Sequence, residues 1–287
     1  LDPGAKYSAF RSGESVLTVL ENRSMEEGPS CIVVKDSFGN CYVPYLTEHY
    51  KTIYAVDYRI YREKTLKALA EEKGKMVSVA LCNRYHKGLQ RIKEVVDSGK
   101  IGKVINIRGS MGEFFPTSRP DYMQTYYVQY SGCFELIHAV DYTVWVAGGE
   151  PQQIFGIYGS DADIGFKSPD NVEVLFRTDH GVTCSVNLAF YQSPSHSELV
   201  VYGSEGTCEL RYTHNDYTIR TYTRGSGKWE EEYLDGLYRN MMFEAEDAEF
   251  LESVASGNYK GCTMADAARA SKIYCKVYGD DNPPPEG

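Results

Sequence analysis

Val172-Glu173-Val174-Leu175-Phe176-Arg177-Thr178-Asp179-His180-Gly181-Val182-Thr183-Cys184-Ser185-Val186-Asn187-Leu188-Ala189-Phe190 decides the fold class of this chain. Val172, Val174 and Phe176 alternate with outward residues, Asp179-His180-Gly181 makes a turn, and Cys184, Val186, Leu188 and Phe190 alternate with Thr183, Ser185, Asn187 and Ala189. Apolar residues at every second position turn one face to a core and the other to solvent. Further strands fit 197–203, 207–212, 216–223 and 228–234. Successive hairpins predict an antiparallel or mixed sheet with one covered face. Two helices close the pattern. One spans 240–256, with Ala248, Leu251, Val254 and Ala255 inward; the other spans 264–278, opened by the capping box Thr263-x-x-Asp266.

Upstream, 104–111 reads as a strand with Ile105 and Ile107 on one side. Residues 84–98 read as a helix with Leu89, Ile92, Val95 and Val96 on one face, ended by Gly99. Strands at 15–20, 31–35, 52–57 and 76–80, a short helix within 41–50 and a helix over 63–72 follow the βαβ grammar of a parallel sheet. The fold class is therefore α/β (α+β). An incomplete Rossmann-like N-terminal piece is followed by a large, mostly antiparallel open sheet covered by helices on one face. The tail Asp280-Asp281-Asn282-Pro283-Pro284-Pro285 is expected to be disordered.

The chain has 287 residues, 42% of them hydrophobic and 24% charged, which is globular composition. Its 30 basic and 40 acidic residues leave a formal charge of -10, which repels nucleic-acid phosphates and anionic lipid. No stretch approaches the ~18 uninterrupted apolar residues of a membrane span. The start Leu1-Asp2-Pro3-Gly4 has neither the basic opening nor the apolar core of a signal peptide, and reads as that of a fragment or processed chain. The eight cysteines form no C-x-x-C pair, so a metal knuckle is not expected, and they read as buried, reduced thiols of a cytoplasmic protein. Tyrosine is abundant, at 24 residues against 11 Phe; its ring and hydroxyl suit half-buried sheet faces and sugar-binding or subunit surfaces.

The sharpest chemical cluster is Ser131-Gly132-Cys133-Phe134-Glu135-Leu136-Ile137-His138-Ala139-Val140-Asp141-Tyr142. On a helix, Glu135, His138 and Asp141 share one stripe. A carboxylate beside an imidazole orients its tautomer and raises its basicity, and imidazole takes a hydroxyl proton near neutral pH. A polar stripe satisfied by its own helix is the competing explanation.

From about residue 62 to 279 the chain resembles the C-terminal part of the Gfo/Idh/MocA oxidoreductases. Asn83-Arg84-Tyr85-His86 resembles the family's R-[FY]-H segment. Val96 to Val104 is similar to its SGxIGxV turn, and 131–142 to its active-site helix. Gly203-Ser204-Glu205-Gly206-Thr207 is similar to its GxEGT hairpin, and Phe243-x-x-Glu246-x-x-x-Phe250-Leu251 to its penultimate helix. The resemblance implies hydride transfer between a sugar or polyol carbinol and NAD or NADP, a sugar-like substrate and a homo-oligomer. It implies His138 as base or proton relay at the reacting hydroxyl, Glu135 holding substrate or His138, and Asp141 in support. It sets Tyr122 and Tyr126 near the substrate, and Arg84 and Tyr85 at the nicotinamide end of the cleft. It assigns no role to His49, His86, His180, His196 or His214. Residues 82–287 then form the substrate and oligomerisation domain, and residues 1–81 a partial α/β piece.

Two features depart from that family. No G-x-G-x-x-G follows any strand, and the E-K-P tripeptide with the family's lysine is absent. Residues 1–60 resemble instead the later part of the DHHW family, which is similar to SGNH-type acyl-esterases. There Ser37 occupies the nucleophile turn, without the Asp/His motif that would activate it. Three functions are open at this point: an NAD(P)-dependent oxidoreductase subunit, a non-catalytic sugar-binding or oligomerisation module, and an acyltransferase remnant.

Overall fold

The computed structural model describes residues 17–35, 43–57, 76–120, 131–165 and 167–278. The chain divides into two compact units, 1–82 with 243–268, and 83–242 with 269–287. From the sequence, 243–268 is expected with the second domain; it packs in the first.

The first unit holds strands β1 (Leu17–Glu21), β2 (Ser30–Lys35), β3 (Thr52–Asp57) and β4 (Val77–Val79), in the order β1-β3-β2-β4. β3, β2 and β4 run parallel, and β1 is antiparallel to β3. Cys31 and Val33 of β2 pack with Ile53, Ala55 and the short helix α1 (Val43–Leu46), while Ile32 packs on the other face with Val56, Val79 and Leu81. This two-sided burial explains the unbroken apolar run at 31–34, which a half-exposed strand does not tolerate. The helix expected over 63–72 and the tail lie outside the described residues.

The second unit is built on an eight-stranded sheet. Its strands are β5 (Val104–Phe114), β6 (Pro151–Gly159), β7 (Asn171–Thr178), β8 (Thr183–Ala189), β9 (Tyr191–Gly203), β10 (Gly206–Tyr212), β11 (Tyr217–Thr223) and β12 (Trp229–Leu234). The order is β12-β11-β10-β9-β5-β8-β7-β6. β5 pairs parallel with β8, and every other neighbouring pair is antiparallel. Val172, Val174, Phe176, Cys184, Val186, Leu188, Leu199 and Val201 all point into one core. Helix α2 (Lys87–Asp97) covers that face at β10 and β11, and α4 (His138–Ala147) covers it at β5 and β8. Gly109 of β5 lets α4 approach closely: a Cβ there would lie 2.5 Å from the Thr143 hydroxyl.

Several sequence expectations are corrected. Ile105 is 53% exposed while Ile107 is fully buried, because a register shift between Val104 and Asn106 breaks the alternation. Helix α5 (Asn240–Ser256) buries Met242, Phe243, Glu246, Phe250 and Ser253, and leaves Ala248, Leu251, Val254 and Ala255 outward. The two stripes are similar in pattern; two aromatic rings offer more area to bury than a stripe containing two alanines. Cys275, on α6 (Met264–Tyr278), is exposed, whereas the other described cysteines are buried, and among the described residues none of them forms a disulfide. Strand β6 has no counterpart in the sequence reading, since its residues are mostly exposed on both faces and carry no clean alternation. Among the described residues no helix is long and apolar enough to cross a membrane.

Candidate active site

Residues 131–142 do not form one helix. A 3-10 turn spans Gly132–Leu136, Ile137 caps, and α4 begins at His138. The break lies at Ile137; the 3-10 turn itself opens at Gly132, whose φ is +56°, and the Cys133 amide donates to the Pro169 carbonyl at 2.7 Å. Glu135 and His138 therefore sit on consecutive turns of different pitch, both almost completely buried. Asp141 and Tyr142 follow His138 on the same face of α4, one turn on.

Arg119, just after the short helix α3 (Phe115–Ser118), faces Glu135 with Nη1 3.6 Å from Oε1. Its Nη2 lies 3.1 Å from Glu113 Oε1, and Ser118 Oγ donates to the other oxygen of Glu113 at 2.7 Å. Glu135 is thus addressed by a guanidinium that β5 also holds. No motif in the sequence singles out Arg119 or Glu113; their role comes from the end of β5 passing the 3-10 turn.

Asp141 is engaged by Arg84. Arg84 Nε donates to Oδ2 at 2.8 Å and Nη2 to Oδ1 at 2.6 Å, a two-point fork with both side chains nearly solvent-free. The guanidinium also lies 5.6 Å from the Trp145 ring centre. From the sequence, Arg84 is expected toward a cofactor and Asp141 toward a substrate; in the structure the two are paired, which ties the 3-10 turn Cys82–Tyr85 to α4. Tyr85, on that turn, is half-buried. Tyr122 and Tyr126 lie outside the described residues.

His86, given no role from the sequence, is a structural pivot. It caps α2: its Nδ1 accepts from the Gly88 amide at 3.1 Å, so Nε2 carries the proton and donates to the Thr213 carbonyl at 3.0 Å. The missing Ser, Thr or Asp before α2 was the available signal. Burial holds this imidazole down, to about 4, against smaller opposing effects of the Thr213 carbonyl and Asp216. The folded pKa is below the ordinary 6.5, so the unfolded chain binds more protons between those values. Stability is complete above about pH 6.5 and is lost as pH falls toward 4, by about 3 kcal/mol from this group. Urea unfolding at pH 7.5 and pH 5 should show that slope, and His86→Gln should flatten it. An unchanged slope in the variant removes His86 as its source.

The family model described as the GFO/IDH/MocA C-terminal domain matches residues 89–209. Over these residues the chain is similar to that domain. These residues supply β5 to β9, most of β10 and the Glu135–His138 turn. Residues 2–56 match a second family model, described as DHHW protein. No curated protein matches the chain. Among solved structures, an oxidoreductase from Agrobacterium radiobacter in complex with NAD+, L-tartaric acid and magnesium is 16% identical, with a TM-score of 0.62 over 75% of this chain and 66% of that one. An aldose-aldose oxidoreductase from Caulobacter crescentus complexed with glycerol is 15% identical, with a TM-score of 0.63 over 75% and 64%. A 3-ketoreductase from Actinomadura kijaniata in complex with NADP and TDP-benzene is 16% identical, with a TM-score of 0.59 over 75% and 66%. The chain spans slightly under two thirds of each of those structures. At these identities the likeness is one of fold.

The described residues of the first unit do not fit the NAD+ or NADP named in two of those complexes. After β2, where a doubly wound fold places its phosphate turn, the described helix α1 has only four residues, and Val43 and Leu46 are buried in the core. A pyrophosphate is held by glycine-backed amides at the start of a longer helix. Among the described residues no group of three or more His, Cys, Asp or Glu side chains is arranged to hold a metal ion.

Proposed function

We propose that the second unit is the substrate-binding half of an oxidoreductase acting on a sugar or polyol, with His138 against the reacting hydroxyl. Glu135 and His138 carry this reading: two buried, proton-exchanging side chains on successive turns over the covered face of the sheet, with Arg119 facing the acid. His138 takes or relays the hydroxyl proton, and Glu135 holds the substrate or the imidazole. Arg84 and Asp141 keep the start of α4 in place. In the family a bound NAD or NADP accepts the hydride; because the described first unit does not fit that group, no step through it is assigned to this chain.

The missing fit favours a second reading, a sugar-binding or oligomerisation module of the same fold. Fluorescence titration with NAD(H) and NADP(H) at millimolar concentration separates the two. Saturable quenching supports the enzyme; no quenching from a folded oligomer leaves the module. Ester hydrolysis lost on Ser37→Ala would point to the acyltransferase remnant, whose serine lies outside the described residues.

Self-association belongs to both readings. On the open face of the sheet Phe155 pairs with Leu175 across β6 and β7, 67% and 49% exposed, and Ile157 beside them is 73% exposed. A second copy covering this stripe buries it symmetrically. Light scattering should give at least a dimer, and Phe155→Glu should shift it toward monomer.

A further inference from the structure

We propose that His214 is a second imidazole of the His138 site and hydrogen-bonds a hydroxyl of the sugar- or polyol-type substrate. This rests on the reading of that site given above. His214 sits in the turn joining β10 to β11, 76 residues from His138 along the chain, and no part of the family resemblance assigns it a role.

The turn is rigid. Thr213 Oγ1 donates to Asp216 Oδ1 at 2.5 Å, the Asn215 amide donates to Thr213 Oγ1 at 3.1 Å, and the Thr213 amide donates to the Asp216 carbonyl at 3.0 Å. It is also docked beside α4. The Tyr212 ring lies 6.2 Å from Tyr142, which shares the His138 face, and 4.5 Å from His86, which in turn donates to Thr213. His214 is consequently held at a fixed place near His138 rather than on a wandering loop tip.

Its Nδ1 is buried and has no hydrogen-bond partner among the described residues. A polar atom shut from water without a partner is costly, and a native fold retains one where something else supplies the bond. The surroundings select what that is. Burial, then Arg239, Arg119, His86 and His138, push the imidazole down to about 4, so the ring is neutral at neutral pH. A neutral imidazole nitrogen is matched by a hydroxyl, which both donates and accepts, whichever tautomer is present. Arg119 already faces Glu113 and Glu135, so its charge is engaged by carboxylates.

The test uses the full chain labelled with 15N-histidine, its six histidines assigned by single variants, and glycerol, erythritol and D-glucose as probes. We expect the ring signals of His138 and His214 to move together, saturably and with one Kd, for at least one probe. His214→Phe, which keeps the ring shape, should weaken that probe about tenfold, the size of one lost neutral hydrogen bond. His214→Asn, which restores a polar atom near Nδ1, should stay within about threefold of the native chain. Movement of His138 without His214, or a His214→Phe chain that is folded and binds unchanged, overturns the proposal and leaves the His138 site standing. No movement of either ring overturns both.

Discussion

Asp141→Ala should lower the stability of the chain by about 3–5 kcal/mol, among the largest losses available from one side chain. The reason is the charge left behind. Asp141 is 1% exposed and accepts both bonds of the Arg84 fork, and Arg84 itself is 9% exposed. Removing the carboxylate takes both bonds of the fork from a guanidinium that is almost shut from water. The pair's own net worth is small, because desolvating two charges offsets most of their attraction. The double variant Arg84→Met, Asp141→Leu should therefore recover most of what the single variant loses. Urea denaturation of the three chains decides it: a double variant as unstable as Asp141→Ala would show that the fork's geometry, not the stranded charge, is what matters. Asp141→Asn separates the roles further. It keeps the shape and one acceptor, so retention of stability with loss of ligand binding would return Asp141 to the substrate role that the family resemblance gives it.

Gly132→Ala should cost about 2–4 kcal/mol and move Glu135 and His138 together. The residue has φ of +56°, and a Cβ there would fall 1.9 Å from the Pro169 carbonyl oxygen. Backbone stands in the way, so no side chain can swing aside. Relief requires the 3-10 turn to leave Pro169, which breaks the hydrogen bond from the Cys133 amide to the Pro169 carbonyl and tilts the start of α4. The nearby control is Gly99→Ala, also at positive φ but with nothing within 4 Å. It should show backbone strain alone, about 1 kcal/mol. Equal effects at the two positions would mean that the collision with Pro169 is relieved without disturbing the site. Histidine chemical shifts in Gly132→Ala report the site directly.

Much of the second unit was legible in the residues themselves. Alternation over 172–190 is a local property of a strand with one buried face, so it survives in the sequence wherever the sheet is regular. The bounds of α5 and α6 were legible for the same reason, through periodicity and the Thr263–Asp266 box, whose two reciprocal bonds form in the structure. Legibility failed where geometry departs from regularity. The bulge at Ile105, the change of pitch at Ile137 and the outward stripe of α5 each depend on a neighbour that the sequence does not place alongside.

By itself the sequence determined the alternating strands of the sheet, its covered face and the bounds of the two closing helices, because each follows from repeats of two to four residues. Tertiary structure alone decided which charges meet. Arg84 lies 57 residues from Asp141, His86 lies 127 from Thr213, and Arg119 reaches Glu135 only because β5 ends beside the 3-10 turn. Such pairs are set by where the sheet order β9-β5-β8 brings distant segments, and that order is a property of the packed sheet rather than of any local stretch.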